Sequence, residues 1–445
     1  MRKNRIQLSD HFTCAGLLRF TLPPIMMMIF TSIYGVVDGF FVSNFVGKDA
    51  FTAVNFVMPV VMILGGFGFM FGTGGSALIA KTLGEGDNER AHGLFSMLIA
   101  FSAIVGVAVA GIGFAVIRPV VVLLGGEGAL LENSVLYARV VILGIPALFL
   151  QYEFQSLMVT AEKPKLGLRV TVAAGVANMA LDALFVAVFG WGVVGAAAAT
   201  VISQCVGGLL PAIYFFCKND SRLRFTKPCF SGVALLRICT NGSSELMSNI
   251  AMSLVSMLYN AQLLCYAGEN GVAAYGVLMY VSMIFVAVFI GFSVGTAPVI
   301  SFHFGARNHG ELKSILRKSL GIISLFSAGM FALALGLAAP LSRLFVGYDA
   351  ELTEITLHAF FVFSFSFFFS GFAIYGSSFF TALNDGVTSA IISFLRTLVF
   401  QIAAVLIFPL IWELDGIWFS IVTAEAMAVA VTAVFLLAKR KKYQY

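Results

Sequence analysis

The sequence predicts an all-α polytopic membrane protein with about twelve transmembrane helices, and two observations support this fold class. First, 60% of the 445 residues are hydrophobic, only 11% are charged, and the mean hydropathy is +0.96. A chain of this composition has too few polar side chains to cover the surface of a water-soluble globule. Second, the apolar runs are continuous over about 20 residues, the length of a membrane-spanning helix, whereas barrel strands alternate over about ten.

Charged residues and breaks that contain Gly or Pro separate the apolar runs, and they place the predicted helices in order along the chain. The predicted spans begin near Leu17, Phe51, Gly93, Val135, Leu166, Val193, Arg237, Val272, Ser314, Ile355, Gly386 and Gly416. The six cysteines include no CxxC pair, so neither a disulfide framework nor a metal site is predicted, and no cofactor is expected.

Lys and Arg residues are concentrated on one face of this arrangement. They occur in the N-terminal arm, at Lys81 and Arg90, from Lys163 to Arg169, at 218–237, from Arg307 to Lys318, and from Lys439 to Lys442. The other face carries only Lys48, Arg118, Arg139 and Arg343. Because cytoplasmic loops are enriched in Lys and Arg, we predict a bacterial plasma (inner) membrane protein with both termini in the cytoplasm. Basic loops that face anionic membrane lipids account for the net charge of +5, so no nucleic-acid partner is predicted.

The chain also shows a weak internal repeat. The shift that pairs Gly74 with Gly295 also pairs Pro119 with Pro340, and the predicted spans and loops stay in phase over most of each half. We infer two parallel six-helix repeats, because an even number of spans gives both copies the same orientation. The predicted N-lobe covers residues 1–217 and the C-lobe residues 237–445, with a cytoplasmic connection at 218–236 and a central cavity between the lobes.

Two acidic residues in the N-lobe are the main candidates for function. Asp38 lies in the first predicted span and Asp182 in the fifth, where a carboxylate costs roughly 2.5 to 3.5 kcal/mol even on lenient insertion scales. The repeat pairs Asp38 with Tyr259 and Asp182 with Ala403, so the acids are not part of the duplicated architecture. We therefore predict a specialised site in the N-lobe. The alternative is that both acids are hydrogen-bonded structural groups at helix contacts.

The first span combines a titratable side chain with a predicted hinge. Thr31, Tyr34 and Asp38 are three and four residues apart and share one helical face. Pro23 and Pro24 remove backbone hydrogen-bond donors earlier in the same helix, so we expect it to bend there.

Polar side chains in the fifth and sixth spans extend the predicted site. Asn178 lies one helical turn before Asp182. Thr200, Ser203 and Gln204 follow in the sixth span, and they provide hydrogen-bonding groups for a nearby acid in either protonation state.

Further buried polar residues are candidates for the cavity wall. Glu245 and Asn249 begin a polar stripe in the seventh span, where Glu245 either meets a cationic substrate or coupling ion, or is a solvated acid near a helix N-terminus. Glu153 in the fourth span is a cavity candidate without an obvious partner. Arg396 and Glu425 in the C-lobe are best interpreted as a structural ion pair.

Four segments, in this order along the whole chain, resemble the multidrug and toxic compound extrusion (MATE) family, especially its MepA-like bacterial branch. They are Pro23-Pro24 with Tyr34 and Asp38, Asn178-x-x-x-Asp182-x-x-Phe185, Gly192-Val-Val-Gly195-Ala-Ala-Ala-Ala-Thr200, and Asn241-Gly-Ser-Ser-Glu245.

The resemblance implies an antiporter that alternates between inward-open and outward-open states and expels organic cations while H⁺ or Na⁺ flows inward. It implies that Asp38, Asn178 and Asp182 form a cation site, with Tyr34 and Thr200 nearby. Some branches place an acid in the tenth span, but 360–382 contains none here, so a second-lobe sodium site is not expected.

From these observations we predict a secondary active transporter and not an enzyme, because no phosphate-binding GxxxxGK loop or catalytic constellation is present. The expected substrates are organic cations or lipophilic drugs, which the 17 Met and 45 Phe residues could accommodate. We expect a monomer in contact with membrane lipids. The alternative is a flippase for lipid-linked saccharides or other amphipathic lipids, which needs a more basic cavity than a sequence with Arg396 as its only clear mid-membrane base provides.

Overall fold

The computed structural model describes residues 6–46 and 48–445, so the predicted basic arm at residues 2–5 lies outside the described residues. Within the described ranges the secondary structure is entirely helical, as predicted. Nine helices there are long and apolar enough to cross a membrane, and two bent helix pairs raise the number of spans to eleven. One of the nine, Gly232–Gly305, has 74 residues and is interrupted at Gly268, which divides it into two spans. The described chain therefore has the twelve predicted spans.

The N-lobe contains spans 1 to 6, two of which continue into a π-helical segment. They are span 1 (Cys14–Phe41, then π-helical Val42–Val46), span 2 (Lys48–Gly84), span 3 (Asn88–Leu123), span 4 (Gly128–Leu143 with Ile145–Thr160), span 5 (Pro164–Asp182, then π-helical Ala183–Val188) and span 6 (Gly192–Phe216).

The C-lobe contains spans 7 to 12 and follows the same plan. They are span 7 (232–267), span 8 (269–305), span 9 (His309–Val346), span 10 (Ala350–Ser364 with Ser366–Ala382), span 11 (Gly386–Phe394, π-helical Leu395–Val399 and Phe400–Ile407) and span 12 (Pro409–Tyr443).

Local features confirm that the two lobes are repeats. Spans 4 and 10 are both bent pairs, with angles of 56° and 46°. Spans 5 and 11 both contain a π-helical segment. The Asp87 side chain caps the start of span 3 by accepting from Arg90 N at 3.0 Å, and Asn308 caps span 9 by accepting from Glu311 N at 3.1 Å. The same capping chemistry at repeat-related positions indicates that each lobe folds by the same local rules.

Gly268 explains how spans 7 and 8 can follow each other without a loop. A straight helix of 74 residues would be roughly 110 Å long, several times the thickness of a membrane. Gly268 has φ 61° and ψ −151°, a conformation that is open to glycine and strained for residues with a Cβ atom. The chain therefore reverses direction at this residue and enters the membrane again.

The connection between the lobes is shorter than predicted. Span 7 begins at Gly232, so the final residues of the predicted connection at 218–236 are helical, and Ser231 Oγ accepts from Ala234 N at 3.3 Å. The extended part packs along span 3, where Thr226 N donates to Ser96 Oγ at 2.9 Å. It is thus attached to the N-lobe before the chain enters the C-lobe.

The lobes are in close contact on the side of the molecule that carries the C-terminus and the interlobe connection, which we call the terminal face. Gly74 of span 2 lies against the Ile238 carbonyl of span 7, and Gly295 of span 8 lies against Thr21 of span 1. A Cβ atom at Gly74 would overlap the Ile238 carbonyl, so the missing side chain is what lets these two backbones approach.

Toward the opposite face the lobes separate. The Ser32 hydroxyl of span 1 donates to the Met283 carbonyl of span 8 at 3.4 Å. Further from the terminal face, by about one turn on span 1 and about two turns on span 8, Gly35 and Gly276 have no other part of the described structure within 4 Å of their Cβ positions. We infer an interlobe cleft that is closed at the terminal face and open at the opposite face.

Candidate functional site

The structure brings the two predicted N-lobe acids together. Asp38 lies in the last turn of span 1 and is 8% exposed, and Asp182 ends the α-helical part of span 5 and is 0% exposed. Their carboxyl groups are close enough to interact directly. A π-helical segment follows each acid within one turn, a local distortion that often occurs at functional sites.

Tyrosine and amide side chains surround this acid pair. Tyr34, one turn before Asp38, lies within interaction range of that carboxyl group and of the Gln151 side chain of span 4. The Tyr34 ring packs against span 5 at Gly175, where a Cβ atom would lie 3.0 Å from Tyr34 Cδ1. Tyr137 of span 4 is buried, and it lies within electrostatic range of both carboxyl groups. The acid pair is therefore enclosed by spans 1, 4 and 5.

The acid pair has unused hydrogen-bonding capacity. Within the described part of the chain, Asp38 Oδ1, both carboxyl oxygens of Asp182 and Asn178 Oδ1 are buried without a hydrogen-bond partner. No Lys or Arg of the described residues is among the groups that act on either carboxyl group. A buried carboxylate without a partner is costly, so the cluster favours binding of a cation or a proton. Carboxylate and amide oxygens also suit a hard cation such as Na⁺.

The other predicted N-lobe residues are not bonded to the acid pair. The hydroxyl groups of Thr31, Thr200 and Ser203 donate to backbone carbonyls of their own helices at 2.9, 3.0 and 2.8 Å. The buried Gln204 side chain lies next to Gly144, at the bend of span 4.

Glu153 lies inside the N-lobe bundle and not on the wall of the interlobe cleft. It is 0% exposed, it accepts a hydrogen bond from Ser102 of span 3, and its backbone packs against Gly72 of span 2. Glu153 was predicted as a cavity residue without an obvious partner, whereas these contacts place it against spans 2 and 3.

The predicted C-lobe acids form a separate cluster. Arg396 Nε donates to both Glu425 oxygens, at 2.9 and 3.1 Å, which confirms the predicted ion pair. The Glu245 carboxyl group of span 7 also interacts with Arg396. Asn249 Nδ2 donates to the Glu245 backbone carbonyl at 2.9 Å. Glu245 therefore lies within electrostatic range of the Arg396–Glu425 ion pair, and Asn249 packs against Gly66 of span 2.

Pro23 and Pro24 lie within span 1, which is helical from Cys14 to Phe41. Span 8 packs closely on this part of the helix, because Gly291 lies against the Pro24 carbonyl and Ile25. The proposed bending of span 1 at these prolines stays a prediction.

Tyr137 and Gln151 were not predicted from the sequence. Gln151 and Gln155 are one turn apart in span 4, a spacing that puts both amide side chains on one helical face. Tyr137 gives no such signal, because an isolated tyrosine in an apolar helix is usually a packing residue.

Two six-span repeats that enclose a cleft, together with a buried acid pair that lacks a basic partner among the described residues, define a membrane transporter. The MatE family model matches residues 23–184 and 246–407, which are corresponding segments of the two lobes. The chain therefore belongs to the MatE (multidrug and toxic compound extrusion) family.

Named relatives and solved structures agree with this assignment. Two proteins named Multidrug export protein MepA, from Staphylococcus saprophyticus and Staphylococcus aureus, are each 24% identical over 436 residues, which is 96% of this chain and 94% of the relative. An outward-facing multidrug resistance MATE family transporter has a TM-score of 0.94 at 24% identity, with 99% of both chains covered. A MOP superfamily transporter from Pyrococcus furiosus, described as having a binding pocket of reverse polarity, has a TM-score of 0.91 at 24% identity, with 100% of this chain and 99% of the other covered. The structural likeness confirms the fold.

Proposed function

We propose that the protein is a secondary active antiporter that exports cationic or lipophilic drugs and other toxic compounds in exchange for H⁺ or Na⁺. The observation that carries this proposal is the buried pair of Asp38 and Asp182 without a basic partner among the described residues. The names of the staphylococcal relatives support multidrug export as the type of transport.

The coupling follows from competition for the same negative charge. When Asp38 and Asp182 are ionised, the N-lobe attracts a cationic drug. Binding of H⁺ or Na⁺ neutralises the carboxylates and weakens that attraction. A ligand shifts the balance between two conformations only by binding them with different affinity, so the acid pair must differ between the two states. Asp38 lies on span 1, which also contacts the C-lobe at Gly291 and Gly295, so span 1 can transmit this difference to the interlobe contact.

We further propose the predicted orientation, with both termini in the cytoplasm of a bacterial plasma membrane. In that orientation the closed terminal face is cytoplasmic and the cleft opens outward. This is the state in which drug leaves and the coupling ion enters. We propose that the transporter acts as a monomer surrounded by membrane lipids, since one chain supplies both six-span lobes that form the cleft.

The flippase alternative is weakened by the C-lobe ion pair. A lipid diphosphate needs free basic groups, but the Arg396 guanidinium is bonded to Glu425 and is also close to Glu245.

Transport of ethidium by the purified full chain in lipid vesicles tests the proposal. We expect an imposed pH or sodium gradient to accelerate ethidium movement at least tenfold over vesicles without a gradient, and an ionophore that collapses the gradient should remove the acceleration. Flipping of a fluorescent lipid-linked saccharide is measured in the same vesicles. Saccharide flipping without gradient-driven movement of ethidium or another organic cation would contradict the proposal.

A further inference from the structure

A second group of buried polar atoms lies in the N-lobe between the acid pair and the terminal face. Gln151 and Gln155 are one turn apart on span 4, and they are 4% and 3% exposed. Gln151 Oε1 and both amide atoms of Gln155 have no hydrogen-bond partner within the described ranges. Each such atom costs about 1 to 3 kcal/mol if it stays unpaired, so these side chains are arranged to bind a polar ligand.

Both glutamines line a small cavity. Its wall also includes Met27 of span 1, Thr171 of span 5 and Gly207 of span 6. The cavity has room for about one water molecule, and its amide and hydroxyl groups can supply the two to four polar partners that a buried water needs. It suits water or a proton carried by water, whereas a hydrated sodium ion is too large.

The cavity is connected to the acid pair by side chains. The Tyr34 side chain lies within interaction range of both Asp38 and Gln151, and the neighbour of Gln151 one turn away is Gln155. Thr171 lies on the buried face of span 5 that also carries Asn178 and Asp182. Met27 precedes Asp38 by eleven residues in span 1, so it lies about 16 Å closer to the terminal face along the helix.

We propose that Tyr34, Gln151, Gln155 and Thr171, called here the polar file, form the inner exit path for the coupling ion, and that this ion is the proton. A protonated carboxyl group of the acid pair gives its proton to a water, which leaves a carboxylate and a hydronium ion. Waters held by the polar file then pass the proton toward the terminal face. The proposal rests on the antiporter function and deepens it by naming the ion and its route.

Apolar side chains gate this path in the present state. Met27 and Met158 meet at the cavity beside Gly167, where a Cβ atom would be 3.1 Å from Met158 Cβ and 3.7 Å from Met27 Sδ. Their close packing prevents a continuous water chain and therefore a proton leak. Met27 follows Pro24 by less than one turn, so bending of span 1 would move it and open the path.

Gln155→Leu tests the polar file, because it keeps a similar side-chain volume and removes both amide atoms. In vesicles that hold the full chain, we expect ethidium affinity, and its loss on acidification, to change less than twofold. Proton release into the vesicle lumen on the terminal side, and pH-driven ethidium transport, should fall at least tenfold. Gln155→Asn, which restores a polar group, should recover most of the rate. A merely structural role would not separate binding from proton release in this way.

Gln401→Leu is the matched control, because Gln401 is a C-lobe amide that accepts a hydrogen bond from Tyr259 at 2.7 Å. It should release protons at the parent rate. If Gln155→Leu does not fold, Thr171→Val replaces it with the same expectation.

The two proposals fail in different ways. Parent-like proton release by Gln155→Leu and Thr171→Val, or ethidium transport driven by sodium and indifferent to a pH gradient, overturns the proton path and leaves the export function standing. A parent chain that moves no organic cation under either gradient overturns the export function itself.

Discussion

Asp38→Asn is expected to reduce gradient-driven ethidium export by about 10- to 1000-fold, close to background. An ion pair near 4 Å is worth about 4 kcal/mol at an effective dielectric constant of 20, and that energy corresponds to about three orders of magnitude in affinity. The substitution removes this attraction for the drug and also removes the group that binds the coupling ion. The shape of the side chain is kept, so the protein should reach the membrane folded.

The measurement is ethidium export from vesicles that contain equal amounts of parent and variant protein. Asp182→Asn should have an effect of the same order, because the two carboxyl groups act on one site. Asp415→Asn is the control. Asp415 is 49% exposed, and it pairs with His358 at the end of the C-lobe that lies away from the terminal face. Parent-like export by Asp38→Asn would remove the proposed role of the acid pair.

Gly74→Ala is expected to lower export at least tenfold by preventing closure of the terminal face. The added Cβ atom would overlap the Ile238 carbonyl and Gly242 N of span 7, and backbone atoms cannot move aside as a flexible side chain can. The closed contact between spans 2 and 7 is thus lost, and the state that opens toward the terminal face becomes favoured. An overlap of this kind costs about 1 to 3 kcal/mol, enough to shift the two populations about 5- to 150-fold.

Thiol labelling reports this shift directly. Cys239 is a partly buried residue next to Ile238, so in a protein that keeps only this cysteine its reaction with a maleimide should accelerate at least tenfold in Gly74→Ala. Gly321→Ala on span 9 is the matched control, because its Cβ atom would have open space around it. That variant should label and transport like the parent protein. An unchanged labelling rate in Gly74→Ala would show that the glycine contact does not hold the lobes together.

The sequence predicted the number of spans because each apolar run must satisfy its own backbone in the membrane. It missed features that depend on backbone conformation. Span 4 was predicted to begin near Val135, but it begins at Gly128 and bends by 56° at Gly144. The close joining of spans 7 and 8 depends on the positive φ of Gly268, which hydropathy does not report.

The candidate site was predicted in part. Intramembrane acids are rare enough that Asp38 and Asp182 could be selected individually, and the structure places them together. Glu153 was predicted as a cavity residue but contacts spans 2 and 3, because the rotation of span 4 within the bundle is set by packing. Tyr137 was missed since its role arises from proximity to the acids and not from its sequence neighbours.

The central claim is that a drug cation and the coupling ion compete for the carboxyl groups of Asp38 and Asp182. Ethidium binding to the purified protein, followed by fluorescence over a range of pH and sodium concentration, tests this claim most directly. We predict that affinity falls about tenfold for each tenfold rise in H⁺ or Na⁺ over the range in which that ion binds, and that this dependence disappears when both acids are changed to Asn. Ethidium affinity that does not respond to either ion, or the same response in the double variant, would contradict the account.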